Sequence, residues 1–373
     1  MQKMTSAKML AALPLVALVA GCATTATKLP DYNPSASAVS QADNFIMAKN
    51  EKHMKGVGKV GVTSCNVMFG MTSAASASTS GGIFSDTGDT RRVDTRVTVT
   101  YTMKGIEESE LQRWANAACD NAEKQLASSG FEVVPHATIK ANEHYQAFHK
   151  GGRASPFEYK GGGDTRYLVL AREGETISDT RYIGTARGLG QAFKAAAGNS
   201  SEQHEGRLIK ELGMTAVNIN ILIDFAEMKS DGHKTFGGLG NKDSANVNTK
   251  VQLAARGDLR FKPVTKQKCW KRFGKEECMI NYNQQPVFAT SRAVATNAPF
   301  YRSIDNVTTT GDKITAGVSK ALATFSALGG VSSSSVDITR YQVNVVPTSY
   351  KTEQEKLSGG LVSMAAAKAT RTK

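Results

Sequence analysis

Between Thr215 and Met228 the chain alternates apolar and polar side chains: Val217, Ile219, Ile221, Ile223 and Phe225 share one parity, Asn218, Asn220 and Asp224 the other. A period of two sends successive side chains to opposite faces of a strand, and no helix gathers this pattern into one stripe. The segment commits the chain to a sheet with an apolar face that a second layer must cover. A polar turn, Lys229 to Ser244, leads into another long alternating run, Asn246 to Phe261, so the second half is expected to be a meander or curled sheet with long hairpins. Earlier strands are expected over Lys59 to Phe69, Arg92 to Met103, Phe131 to Val134 and Tyr167 to Ala171. Later ones are expected over Met279 to Tyr282, Val287 to Ala295 and Val336 to Val346.

Helices supply the covering layer. Glu107 to Ser128 has an acidic first turn, Gly130 just past its end, and Leu111, Trp114, Ala115, Ala118, Ala122 and Leu126 at three- and four-residue spacing. Shorter helices are expected over Ser37 to Lys52, Thr138 to Phe148, Ser201 to Leu212 and Lys313 to Leu328. The expected fold class is α/β of the α+β kind: a mixed, largely antiparallel sheet packed by a few helices.

The first 22 residues have a separate role. Lys3 and Lys8 precede the short apolar run Met9 to Ala17, and Leu18-Val19-Ala20-Gly21-Cys22 closes it with small residues. The run is too short to span a bilayer and reads as a cleaved signal. The box resembles that of bacterial lipoproteins, which implies acylation at Cys22, and Ala23 implies sorting to the outer membrane. An ordinary secretory signal with a coincidental cysteine is the alternative. Each buried methylene contributes about 0.8 kcal/mol, so several acyl chains hold a protein stably. The domain plan is then a signal (1–21), a flexible tether (22–56), a periplasmic α/β domain (57–350, with a division into 57–198 and 199–350 as an option) and a carboxy-terminal tail (351–373).

Of the five cysteines, four remain beyond Cys22, in a compartment where disulfides form. Cys269 and Cys278 flank Trp270-Lys271-Arg272-Phe273-Gly274-Lys275-Glu276-Glu277 and read as a hairpin tip closed by a bridge. Cys65 and Cys119 are left to pair with each other or to stay as buried thiols. The net charge of +13 falls to +11 when Lys3 and Lys8 leave with the signal. A basic envelope protein is drawn to anionic headgroups, peptidoglycan or acidic polysaccharide, whereas the compartment argues against nucleic acid. The dispersal of that charge equally fits a solvated surface.

Motifs that carry chemistry are weak. Asp86-Thr87-Gly88 lacks the second copy that an aspartic-protease dyad requires. His136, His144 and His149 lack the i, i+4 spacing of a zinc helix and read as exposed helix residues. Gly161-Gly162-Gly163-Asp164 and the run Gly184 to Gly190 match neither a P-loop nor a dinucleotide turn, and the low-complexity segment Gly70 to Thr90 reads as a mobile loop or as a hairpin that orders only against a partner or a membrane. No catalytic set, metal-ligand set or cofactor motif is expected.

Lys59 to Phe69, Glu107 to Ser128, Phe131 to Val134 and Leu208 to Val217 follow one another in an order that resembles the α/β domain of the curli secretion-channel lipoproteins. It is also similar to the amino-terminal domain of the Tol system's periplasmic protein. The resemblance implies a non-enzymatic envelope factor with a protein partner. The channel likeness implies, as an alternative, a homo-oligomeric pore built from Gly70 to Tyr101 and Phe225 to Phe261. Lys250, Arg256 and Asp258 argue for a soluble sheet instead. A cell-wall or polysaccharide hydrolase is a third option, since paired carboxylates are visible only in three dimensions. For a binding module, the candidate contacts are the exposed faces of the long strands and the hairpin Lys266 to Lys275, with Trp270, Lys271 and Arg272. Trp270 and Phe273 packed over the sheet would be the structural alternative.

Overall fold

The alternating segment is the middle of a computed structural model describing residues 31–78, 93–161, 164–178, 200–233, 244–272, 274–309, 312 and 333–373. These residues belong to one compact unit, Asp31–Lys373. Along the chain come α1 (Ala38–Phe45), β1 (Ile46–Lys49), β2 (Lys59–Ser78), β3 (Val93–Lys104), α2 (Glu108–Ser128), β4 (Glu132–Val133), α3 (His136–Lys140), α4 (Glu143–Lys150), β5 (Phe157–Lys160) and β6 (Arg166–Ala171). Then follow α5 (Ser201–Leu212), β7 (Thr215–His233), β8 (Ser244–Lys262), β9 (Gln267–Arg272), β10 (Lys275–Ile280), β11 (Val287–Thr290), β12 (Val294–Ala295), β13 (Tyr301–Asn306), β14 (Ser333–Val345) and α6 (Pro347–Thr370).

The main sheet runs β1-β11-β8-β7-β2-β3-β14-β13, with the shorter strands paired at its sides, and β9 and β10 form a separate hairpin. It is mixed: β7 runs parallel to β2, and β14 parallel to β3. Strands from both halves of the chain therefore interleave, and a boundary at 198/199 would cut through one sheet.

β2 organises this arrangement. Its first half pairs in parallel with β7, from Val60↔Thr215 to Phe69↔Ile223, and its last residues pair with β3, from Thr72↔Thr102 to Ser78↔Arg96. A bulge between Val62 and Ser64 changes the parity of the strand. Val60 and Val62 before it and Cys65, Val67 and Phe69 after it are all buried in one core, with Ile219, Ile221 and Ile223 of β7. A second bulge, between Asp224 and Ala226, does the same to β7, where Ala226 and Met228 join that core.

α2 and α6 cover the apolar face. Leu111, Trp114, Ala115, Ala118, Cys119, Ala122 and Leu126 of α2 meet Tyr350, Leu357, Leu361, Val362 and Ala365 of α6, and the Trp114 and Tyr350 rings stack at 5.6 Å. The stretch read as a tail is thus a principal core helix. Its small residues give no sharp stripe but let it approach closely: a Cβ on Gly360 would lie 2.0 Å from the Tyr32 hydroxyl. The tether is likewise packed from Asp31 onward. Ser37 caps α1, Phe45 and Ile46 are buried, and Arg371 grips Asp43 with both guanidinium nitrogens at 2.9 Å. That pair, with Lys368, holds the Asp43 carboxyl down at about 2.

The opposite face of β2, β7 and β8 is polar and buried. Asn66 Nδ2 donates to Asn220 Oδ1 at 3.1 Å, and Asn220 Nδ2 donates to Asp258 Oδ1 at 2.9 Å. Thr63 and Asn218 both donate to Glu205 of α5, at 2.7 and 3.1 Å, and Glu205 also pairs with Lys262. The polar parity of β7 is therefore roofed over, so this part of the long strands offers no exposed contact face. A buried polar group without a partner costs about 1 to 3 kcal/mol; the ladder satisfies the amide nitrogens of Asn66, Asn218 and Asn220 but leaves Asn66 Oδ1 and Asn218 Oδ1 without a hydrogen bond among the described residues.

Other expectations also shift. Gly70 to Ser78 continues β2 and pairs with β3, against the loop reading of this part, while the rest of the segment to Thr90 lies outside the described residues; β7 and β8 extend into the expected polar turn. Thr138 to Phe148 is broken into α3 and α4, because Asn142 is extended and caps the second helix through His144 N. β5 pairs with β6, and β13 with β14. The expected helix Lys313 to Leu328 lies outside the described residues.

Two disulfides are present. Cys65–Cys119 ties β2 to α2, and Cys269–Cys278 joins β9 to β10. They close loops of 54 and 9 residues, for which loop-closure entropy predicts contributions of about 4 and about 2.5 kcal/mol. Denaturant titration should show the Cys65→Ala/Cys119→Ala chain losing global stability by about 4 kcal/mol. In Cys269→Ser, by contrast, hydrogen exchange should accelerate in 267–280 while the core amides keep their protection.

Candidate functional site

Two arrangements stand out beyond the core. The first is the hairpin. Arg272 pairs with Lys275 next to the turn, where Gly274 takes φ +75°, and Cys269 lies directly opposite Cys278. α5 fixes it to the body. A capping box, in which the Ser200 side chain and Gln203 satisfy each other's backbone, starts that helix, and left-handed Gly213 ends it. Gly206 forms the notch: a Cβ there would sit 2.0 Å from the Cys278 carbonyl oxygen. Beside it Arg207 Nε donates to Glu276 O at 3.0 Å, Lys210 Nζ donates to Glu276 Oε1 at 2.5 Å, and Gln267 Nε2 donates to Gly206 O.

The outer side of the hairpin keeps large apolar groups in water. Trp270 is 41% exposed and Met279 38%, and Lys268 and Lys271 are exposed as well. Trp270 belongs to none of the buried clusters, and Phe273 lies outside the described residues. The sulfurs of Cys269 and Cys278 and a Glu276 oxygen lie within 4.8 Å of one another, but both sulfurs are consumed by the disulfide.

The second arrangement is a buried cluster where histidines were expected to be exposed. His136 Nε2 is 2.9 Å from Glu175 Oε1, and His149 Nε2 is 3.9 Å from Glu175 Oε2. Arg172 reaches Glu123 at 2.8 Å and Asp120 at 3.3 Å, and Glu123 is 3.9 Å from His136 Nδ1. His144 does not join them; its Nε2 is 4.0 Å from Glu211 and its ring faces His204. Around His149 the partners fix the tautomer: Nδ1 accepts from Thr176 N at 3.2 Å, so Nε2 carries the proton and donates to Thr63 O at 3.2 Å. Burial pushes the His149 value down. Burial alone would push the Glu175 carboxyl up, but the contacts to His136 and Tyr145 outweigh it and hold it low. The cluster clamps the segment after β6, whose Ser178 carbonyl accepts from Ser64 and Asn66 at 2.7 and 2.8 Å.

Compared with protein families, curated proteins and solved structures, the chain matches none. Asp86-Thr87-Gly88, Gly162, Gly163, Gly184 to Gly190 and Cys22 lie outside the described residues. No described helix is long and apolar enough to cross a membrane, which leaves membrane strands unaddressed. Glu175, Arg172 and Tyr145 were not legible as site residues, because only the fold brings an irregular segment against two helices.

Gly206→Ala should force the hairpin off α5. We expect a loss of about 1 to 3 kcal/mol and faster hydrogen exchange at residues 276–278 than in β7. The cluster should make stability fall in acid. A histidine held below its ordinary 6.5 takes up a proton on unfolding, so its contribution is full above that value and is lost as pH falls toward the folded value. A carboxyl held below 4.5 contributes above 4.5 and is lost at still lower pH. Unfolding free energies across the acid range should show both declines. Glu175→Gln should cost about 3 kcal/mol at neutral pH and leave in the lower decline only what other depressed carboxyls such as Asp43 contribute.

Proposed function

We propose that the chain is an outer-membrane lipoprotein, anchored through Cys22 with its folded unit in the periplasm, that acts as an assembly or secretion accessory factor without enzymatic activity of its own. The signal-like amino terminus and the in-order resemblance to curli-channel lipoproteins support this reading. The observation that carries it is the β9–β10 hairpin, a rigidly mounted surface that leaves Trp270 and Met279 in water. Exposed large aromatic side chains on a fixed support are the kind of anchor that interaction surfaces use.

A second reading, a homo-oligomeric export channel, is favoured by one feature. The β2–β3 and β7–β8 pairs contain strands of 12 to 20 residues, longer than the roughly 9 to 11 that cross a bilayer. In the single chain, however, the two pairs meet each other. Tyr101 Oη lies 2.9 Å from Thr249 Oγ1, and Val99, Met228 and Val251 pack on the common core. A barrel would require them to separate and turn those side chains toward lipid.

Crosslinking in intact cells followed by mass spectrometry separates the two readings, with Cys22→Ser as the unanchored control. An accessory factor should give one abundant envelope partner that is lost with the anchor. Ladders of self-crosslinked chains would replace that conclusion with the channel.

A further inference from the structure

Charge and shape on the hairpin select one kind of surface. Over Lys266 to Glu277 the sequence carries Lys266, Lys268, Lys271, Arg272 and Lys275 against Glu276 and Glu277 alone. Of these two carboxylates Glu277, opposite Trp270, is buried, and Glu276, although exposed, is ion-paired with Lys210 at 2.5 Å. Lys268 and Lys271 stand exposed. By strand parity Lys268 shares a face with Trp270, and Met279 stands directly opposite Lys268 on the same face. Lys271 projects from the other face, so ammonium groups bracket the indole. Two residues beyond β10, Tyr282 is also exposed.

An indole with a thioether beside it, a second aromatic nearby, two exposed lysines around it and the neighbouring acids buried or ion-paired is the chemistry of a membrane interface. Tryptophan and tyrosine partition to the headgroup level, and each lysine near an anionic surface adds about 1 kcal/mol. We infer that the β9–β10 hairpin is a second membrane contact, docking on an anionic phospholipid surface with Trp270 and Met279 at headgroup depth and Lys268 and Lys271 on the phosphates. This rests on the reading of the chain as a membrane-anchored protein and names what its exposed hairpin holds. With the acyl chains it would give two attachment points, fixing the orientation of the folded unit and not only its distance from the bilayer.

The chain offers its own reporter. Its two tryptophans differ completely: Trp114 is 4% exposed beneath α6, while Trp270 is 41% exposed. The full-length mature protein is placed on vesicles of phosphatidylcholine with or without phosphatidylglycerol, some carrying brominated acyl chains. Flotation reports the anchor, and bromine quenching reports the hairpin. We expect Trp270 emission to shift to the blue and to be quenched with phosphatidylglycerol only, an effect reversed by high salt and absent in Trp270→Phe. Lys268→Gln and Lys271→Gln should each reduce the ratio of docked to undocked hairpin about five-fold. A protein that floats while Trp270 stays unquenched on phosphatidylglycerol vesicles overturns the proposal and leaves the anchor standing. Quenching without stable flotation would remove the anchor and keep the hairpin contact, and the absence of both would remove the two together.

Discussion

β2 is the constraint on which the molecule depends. It is the common neighbour of β7, β4, β6 and β3, so strands from distant parts of the chain are aligned by one backbone. Its bulge at Thr63 keeps Val60, Val62, Cys65, Val67 and Phe69 in one core although their numbering changes parity. The disulfide to Cys119 then joins that strand to the helix covering it. A one-residue slip would turn every one of these side chains to the wrong face, and the bridge fixes the register against it.

The polar face of the same strands determines where the hairpin stands. Glu205 satisfies Thr63, Asn218 and Lys262 from one turn of α5, and the adjacent Gly206 and Arg207 hold the β10 backbone. Sheet and helix are thus joined by buried partners that cannot be removed singly without leaving a buried polar group unpaired, and the hairpin is joined to the same helix by exposed contacts at its rim. Rigid mounting matters for a surface residue such as Trp270, because an anchor that is already ordered loses less entropy when it binds.

The buried histidine cluster adds a different kind of joint. Its contacts depend on protonation, since His149 is held neutral by a backbone donor on one side and a backbone acceptor on the other. The segment carrying Arg172, Glu175 and Ser178 is fixed to α2, α4 and β2 through these groups. Its attachment is therefore more sensitive to acid than the apolar core beneath α2 and α6.

Several features were determined by the sequence alone because they rest on local physics. The alternation of β7, the stripe of α2, the extent of α5 from Ser201 to Leu212, and the short loop that lets Cys269 face Cys278 each reside within a few neighbouring residues. Other features required the tertiary structure. α6 has no sharp apolar stripe, and its burial comes from small residues fitting against Tyr32 and the sheet. The bulges hid the true faces of β2 and the end of β7, since parity is read correctly only between them. The parallel pairing of β7 with β2, the roof over Asn218 and Asn220, and the meeting of His136, His149 and Glu175 join residues far apart in the chain. Such contacts have no local signature, because the free energy that selects them comes from packing and from satisfying buried polar groups.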